Sequence, residues 1–235
     1  MILKEWDRLP EEFRNKSVKE YYDILCNRKF SLVLKRLFDI FVSFAMLLVL
    51  MPVFIVIAVI IKIDSRGPVF YRQVRVTQYG KIFRIFKFRT MVQNADKIGT
   101  QVTVNNDSRV TKIGRFLRKY RLDELPQLID VLRGTMTFVG VRPEVPKYVE
   151  AYTDEMMATL LLPAGITSKT SIFYKDESEL LDNSNDTDKT YIEVVLPQKM
   201  VYNLKGIKNF SFLGDIKIMF MTVAAVLGKD FSEND

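Results

Sequence analysis

The stretch LFDIFVSFAMLLVLMPVFIVIAVII, residues 37–61, decides how the rest of this chain is read. Only Asp39, Ser43 and Pro52 interrupt its apolar character. A straight helix rising about 1.5 Å per residue over this run would reach roughly 37 Å, enough for a hydrocarbon core of roughly 30 Å. The run starts too late, is too long and lacks the small-residue cleavage site of a secretory leader. Pro52 falls mid-run, where its missing N–H and its clash with the preceding turn predict a break. Basic residues flank both ends: Lys35 and Arg36 before it, Lys62, Arg66, Arg72 and Arg75 after it. Cytoplasmic flanks collect Lys and Arg. A segment that enters and leaves by one leaflet satisfies both flanks, whereas a kinked single span, which tolerates proline, satisfies one. The expected fold is α+β, mainly helical with a small β-hairpin, in a monotopic membrane protein with a re-entrant helix–break–helix.

Working outward, the expected division is an N-terminal surface helical segment at 1–34, the membrane helix broken at Pro52 at 35–62, and a cytoplasmic catalytic domain at 63–235. The first segment is polar with spaced apolar positions such as Tyr21, Tyr22, Ile24 and Leu25. Downstream, Gly67-Pro68 signals a turn. Residues 69–76 and 81–91 read as strands, joined as a hairpin around Gly80. Residues 113–120 and 125–132 read as helices, 133–146 as a loop, 145–162 as a helix ending at Pro163, and 183–188 as a polar loop. The last helix, 213–227, is apolar enough to lie at a membrane interface with Lys217 and Lys229 toward headgroups, and ordinary core packing explains it equally well.

Composition narrows the chemistry. Lys and Arg exceed Asp and Glu by 35 to 28, and a net charge of +7 favours phosphate groups, acidic headgroups or nucleic acid as partners. The 235 residues contain no histidine, which excludes a Ser–His–Asp triad and a His-ligated metal. Cys26 is the sole cysteine, so no internal disulfide or cysteine-built zinc site exists. Catalysis must rest chiefly on Asp, Glu, Lys, Tyr, Ser or Thr, and a metal would be a hard, oxygen-preferring ion such as Mg²⁺.

Three clusters carry candidate chemistry. In Arg115-Phe-Leu-Arg118-Lys119-Tyr-Arg121-Leu-Asp123-Glu124-Leu-Pro126-Gln127, adjacent carboxylates follow four cations. A purely structural reading makes Asp123 a helix N-cap with Glu124 favourable against the macrodipole. A functional reading gives the pair to Mg²⁺ binding and nucleophilic chemistry, and the two readings are compatible. In Lys87-Phe-Arg89-Thr90-Met91, strand alternation puts Lys87 and Arg89 on one face, suited to a diphosphate or to a solvated edge. In Gly140-Val141-Arg142-Pro143, a rigid turn presents Arg142, whose planar fork suits phosphate oxygens.

These clusters, behind a proline-containing membrane segment, resemble the bacterial sugar transferases known as small monotopic phosphoglycosyl transferases. The matching elements are Lys35-Arg36-x-x-Asp39, Gly67-Pro68-Val-Phe-Tyr-x-Gln73-x-Arg75, Lys87-Phe-Arg89-Thr-Met91, Leu122-Asp123-Glu124-Leu-Pro126-Gln127 with Val131-Leu-x-Gly134, Val139-Gly140-x-Arg142-Pro143, and Pro163-x-Gly165-Ile166-Thr167. Departures occur at Val141, Thr135 and Ser108, in place of a proline, an aspartate and a proline, and at Thr77 in place of a glycine. The resemblance implies that Asp123 attacks the β-phosphate of a UDP-sugar, expels UMP and forms a covalent aspartyl intermediate. Polyprenyl (undecaprenyl) phosphate then accepts the sugar phosphate, as the first membrane step of surface glycan assembly. It implies that Asp123 and Glu124 hold Mg²⁺, or that Glu124 assists deprotonation, and that Lys87, Arg89, Arg118 and Arg142 bind substrate phosphates. The implied place is the cytoplasmic face of the bacterial inner membrane, among membrane lipids, with a homodimer left open. The rival readings are a membrane-anchored structural or regulatory protein and, last, a nucleic-acid binder, which would group its cations with stacking aromatics.

Overall fold

In a computed structural model, which describes residues 3–95, 107–173, 186–229 and 231, the longest element is the 36-residue helix α2 (Lys29–Asp64), preceded by α1 (Lys16–Cys26). Leu32, Lys35, Asp39, Ser43, Ile57 and Ile61 of α2 are buried, and Phe38, Val42, Met46, Leu47, Leu50 and Phe54 pack partly against the body between them. These positions recur every three or four residues, so a single stripe of the helix meets the protein along its whole length. The other side is bare: Phe41, Phe44, Val49, Ile55, Val56 and Ile63 are all more than half exposed. Moving one such side chain out of water is worth about 1.5–3 kcal/mol. A bare apolar face of this extent, on a helix long enough to cross a membrane, makes the protein membrane-associated.

Two expectations about this segment change. The helix runs on through Pro52 rather than breaking there, and it starts ahead of the boundary expected at residue 35. Proline removes one backbone donor, while the adjacent turns have no competing partners among apolar side chains and stay helical. The upstream basic flank is also not a headgroup-facing charge. Lys35 is 3% exposed; its ammonium donates to the Val139 carbonyl at 2.7 Å and pairs with Asp215. One turn on, Asp39 accepts from the Thr137 hydroxyl at 2.7 Å and from the Phe138 N–H at 3.3 Å.

Behind α2 come β1 (Phe70–Val76) and β2 (Ile82–Phe88), the antiparallel hairpin that the sequence predicts, turning at Gln78–Gly80. Its register sets Tyr71 opposite Lys87, Gln73 opposite Ile85 and Arg75 opposite Phe83, so these six share one face. Helices α3 (Lys112–Lys119) and α4 (Gln127–Arg133) lie where they are expected.

The segment read as a loop at 133–146 contains instead a strand, β3 (Met136–Val139), paired in parallel with β4 (Ala164–Thr167). Gly140 and Gly165 permit this pairing: a Cβ on Gly165 would sit 2.2 Å from the Gly140 nitrogen. The single helix expected over 145–162 is two short pieces, Pro146–Val149 and a 3-10 turn at Met156–Leu161. Thr153 between them spends its hydroxyl on the Met156 N–H, which favours a fresh start over continuation. The polar loop expected at 183–188 lies partly outside the described residues, and a short helix begins at Thr187.

The N-terminal segment is more than a surface decoration. Asn15 caps α1 by accepting from the Val18 N–H at 2.8 Å, and Val18, Tyr21, Tyr22 and Leu25 turn inward with Phe13 and Tyr79 to form a core. The C-terminal helix (Phe212–Val226) buries only Met221 and leaves Leu213, Phe220 and Val223 exposed.

Candidate active site

The approach to α4 explains why two carboxylates stand together. Arg121 takes a left-handed conformation (φ 55°), a short 3-10 turn carries Leu122–Glu124, and Pro126 fixes the entry into α4. Asp123 lies inside this turn, and the N-cap positions of the turn and of α4 are taken by Arg121 and Pro126, so the cap reading fails. Both carboxylates are 8% exposed, a placement that requires charge partners.

Glu124 has them. Its Oε1 accepts from Lys87 Nζ at 3.0 Å and from Arg142 Nη2 at 2.7 Å, with Arg121 4.0 Å away. Burial alone would raise its pKa, but Arg142 and Lys87 outweigh that and hold the carboxyl well below its usual range. Asp123 moves the other way. Burial and the neighbouring Glu124 charge raise its pKa against the pull of Lys87, Arg118 and Arg121, giving a more basic carboxylate than an ordinary aspartate. Lys87 reaches the pair from β2, and Arg142 from the turn after β3. Arg118, on α3, is fixed by donating from Nε to the Thr90 hydroxyl at 2.9 Å and lies within electrostatic reach of Asp123.

The fourth expected cation lies elsewhere. Strand β2 ends at Phe88, so alternation no longer controls Arg89. Its guanidinium instead donates to the carbonyls of Arg66 at 3.0 Å and Ser65 at 2.6 Å and to the Ser65 hydroxyl at 3.0 Å, closing the C-terminal end of α2. Arg89→Ala is therefore expected to destabilise the fold by about 1.5–3 kcal/mol, seen as a lower unfolding temperature. Arg89→Lys should recover little, because an ammonium cannot fork across these oxygens.

Arg75 is the functional candidate that the residue types alone did not single out. Two-residue alternation in β1 places it on the Lys87 face, and that register was the available signal. It donates to Gln73 Oε1 at 2.8 Å, and burial and the nearby Arg142 lower its pKa against Glu144. Glu144 is itself partnered by Tyr191 at 2.6 Å and Lys199 at 3.3 Å. Arg75, Lys87, Arg118, Arg121 and Arg142 thus gather around two carboxylates, an electropositive excess suited to phosphates.

Among the described residues no three metal-ligating side chains cluster. Mg²⁺ nevertheless fits, because that ion commonly takes one or two carboxylates and completes its shell with water and substrate phosphate oxygens. Lys87 and Arg142 hold Oε1 of Glu124, and Arg142 also reaches Oε2 from Nη1 at 3.5 Å, so the Asp123 carboxylate, with Glu124 Oε2 beside it, would be the side on which such an ion could be held.

A buried carboxylate pair under converging cations, on a body seated along an apolar helix, is suited to phosphate-bearing substrates beside a membrane. Residues 30–229 match the model of the bacterial sugar transferase family, and the chain belongs to that family. It is 38% identical over 199 residues to a UDP-glucose:undecaprenyl-phosphate glucose-1-phosphate transferase of Klebsiella pneumoniae, covering 82% of this chain and 40% of the relative. It is 34% identical over 197 residues to a UDP-N-acetylgalactosamine-undecaprenyl-phosphate N-acetylgalactosaminephosphotransferase of Aeromonas hydrophila, covering 83% and 44%. To the exopolysaccharide production protein ExoY of Sinorhizobium fredii it is 31% identical over 207 residues, covering 82% and 84%. The chain thus spans about two fifths of the length of the first two relatives and most of the third.

Proposed function

We propose that this protein transfers a sugar 1-phosphate from a UDP-sugar to undecaprenyl phosphate, at the cytoplasmic face of the bacterial inner membrane. The observation that carries the reading is the unequal carboxylate pair: Glu124 locked by Lys87 and Arg142, and Asp123 beside it with raised basicity. A carboxylate oxygen of Asp123 attacks the β-phosphorus. The bond from that phosphorus to the bridging oxygen breaks, and UMP leaves with the electron pair. An oxygen of undecaprenyl phosphate then attacks the same phosphorus, breaks the acyl-phosphate bond and restores the Asp123 carboxylate. The sugar–oxygen–phosphorus linkage survives both steps. Mg²⁺ held by Asp123 and Glu124 would neutralise diphosphate charge. Lys87, Arg118, Arg142 and Arg75 stabilise the transferring phosphoryl oxygens from fixed positions, the main aid available to phosphoryl transfer. The experiment is UMP release from a panel of UDP-sugars with undecaprenyl phosphate in detergent or nanodiscs. One sugar should be used in preference to the rest, and EDTA should stop the reaction. No release with any sugar ends the reading.

The topology proposed with it is monotopic, with α2 kept to one leaflet by the body on which it is seated. The support is the continuous seam: Lys35 and Asp39 near one end and Ile57 and Ile61 near the other are seated on the same body. A helix so held cannot deliver its ends to opposite aqueous phases without carrying that body through the bilayer. Single cysteines at Arg8 and Lys229, in a Cys26→Ser background, should resist an impermeant thiol reagent on intact spheroplasts and react once the membrane is opened. Labelling of either in sealed cells means that the segment crosses.

A further inference from the structure

We infer that Arg36, at the start of the membrane helix, is a positioning residue for the catalytic carboxylate pair, acting through the far end of α4. Its Nη1 donates to the Val131 carbonyl at 2.6 Å and its Nη2 to the Leu132 carbonyl at 2.9 Å. These belong to the last turn of α4, where carbonyls lack intrahelical partners and a cation is favourable. The approach is built in. Gly134 ends α4 in a left-handed conformation (φ 83°), and a Cβ there would stand 3.0 Å from Arg36 Nη2.

Helix α4 has seven residues, too few to hold its shape alone, so its axis is set by what grips it. Three grips are visible. Asp123 and Glu124 lead into its N-terminal end through Leu125 and Pro126. In its middle, Asp130 accepts from the Phe86 N–H at 2.8 Å, next to Lys87. At its C-terminal end sits the Arg36 fork. One turn of α2 therefore fixes the line on which Asp123, Glu124 and Lys87 meet. Lys35, next to Arg36, holds the Val139 carbonyl at the end of the strand that leads to Arg142. The membrane helix is thus a structural jaw of the site as well as an anchor, and the site's alignment depends on α2 being seated.

This inference rests on the proposed transferase reading for its kinetic arm, and on hydrogen exchange for an arm that needs no substrate. Full-length Arg36→Ala in nanodiscs should lose about tenfold or more in kcat, with KM for the nucleotide sugar moving less than about threefold, because the phosphate-binding cations stay in place. Amides of 127–134 should exchange faster while those of β1 and β2 keep their protection. Arg36→Lys, which cannot span two carbonyls, should fall between wild type and alanine in both readouts and serves if the alanine variant does not fold. Lys29→Ala removes an exposed cation from the same helix and should change neither. Unchanged kcat together with unchanged α4 exchange in Arg36→Ala overturns the inference. If the wild type turns over no UDP-sugar, the transferase reading fails, and the exchange arm still decides whether Arg36 holds α4.

Discussion

Asp123→Asn is expected to abolish UMP release, by at least about 10⁴-fold, while binding of UDP-sugar persists. An amide keeps the size and the hydrogen-bonding capacity of the side chain but cannot form the acyl phosphate. The lost charge leaves the surrounding cations in surplus, so nucleotide binding should hold or tighten. The measurements are single-turnover UMP release, calorimetry with the nucleotide sugar, and acid-quenched trapping of radiolabelled sugar phosphate on the protein. Label should appear on the wild type before acceptor is added and be missing from the variant. Turnover within about tenfold of wild type would show that another group attacks the phosphorus.

Glu124→Gln is the second large effect, and its cause differs. Glu124 sits between Lys87 and Arg142 at 3.0 and 2.7 Å, nearly out of water. Removing one partner of such a buried cluster costs about 3–5 kcal/mol, mostly from charges left uncompensated. Lys87 and Arg142 would then repel each other and turn toward the Asp123 carboxylate, so a loss in kcat of about a hundredfold or more is expected. Thermal unfolding should shift downward in the same variant. Raising the salt concentration should recover part of that stability without restoring turnover. A variant with normal stability and normal kcat would mean that Glu124 is an ordinary surface carboxylate, contrary to its contacts.

What the residues disclosed, and what they hid, follows from the range of each interaction. The hairpin and helices α3 and α4 were legible because local periodicity and turn residues specify them. Strand β3 was not: its four residues are all buried, show no alternation, and pair with a segment reached only after residue 163. Lys87 and Arg89 look equivalent in a linear strand pattern, yet the strand ends between them and sends one to Glu124 and the other to the end of α2. Lys35 and Arg36 carry the flanking-charge signature of a membrane segment, and nothing local reveals that their partners are near residues 131–139 and at Asp215.

Three departures from the family pattern, Thr77, Thr135 and Val141, take part in the contacts around the parallel pair. The Thr77 hydroxyl donates to the Thr135 carbonyl at 2.7 Å and accepts from the Ala164 N–H at 3.1 Å, so it ties the hairpin to both partners of the parallel pair. The Thr135 side chain donates to the Asp130 carbonyl at 3.1 Å, within the same connection. Val141 still offers its carbonyl to the Gly165 N–H at 2.8 Å, and Arg142 still reaches Glu124. Beside Ser108, the Asp107–Arg109 ion pair stands at 2.6 Å.

The buried polar row on α2 also sets an order of events during synthesis. Asp39 waits for partners 98 and 99 positions later, and Lys35 for one 180 positions later. At roughly 5–20 residues per second, the apolar helix leaves the ribosome several seconds before anything exists to neutralise it. Until then Lys35 and Asp39, one helical turn apart, have chiefly each other, an arrangement tolerable at a lipid headgroup layer and costly in hydrocarbon. A nascent chain in that state is biased to linger at the surface of the bilayer, and the late arrival of β3 and the C-terminal helix converts that hesitation into the finished architecture.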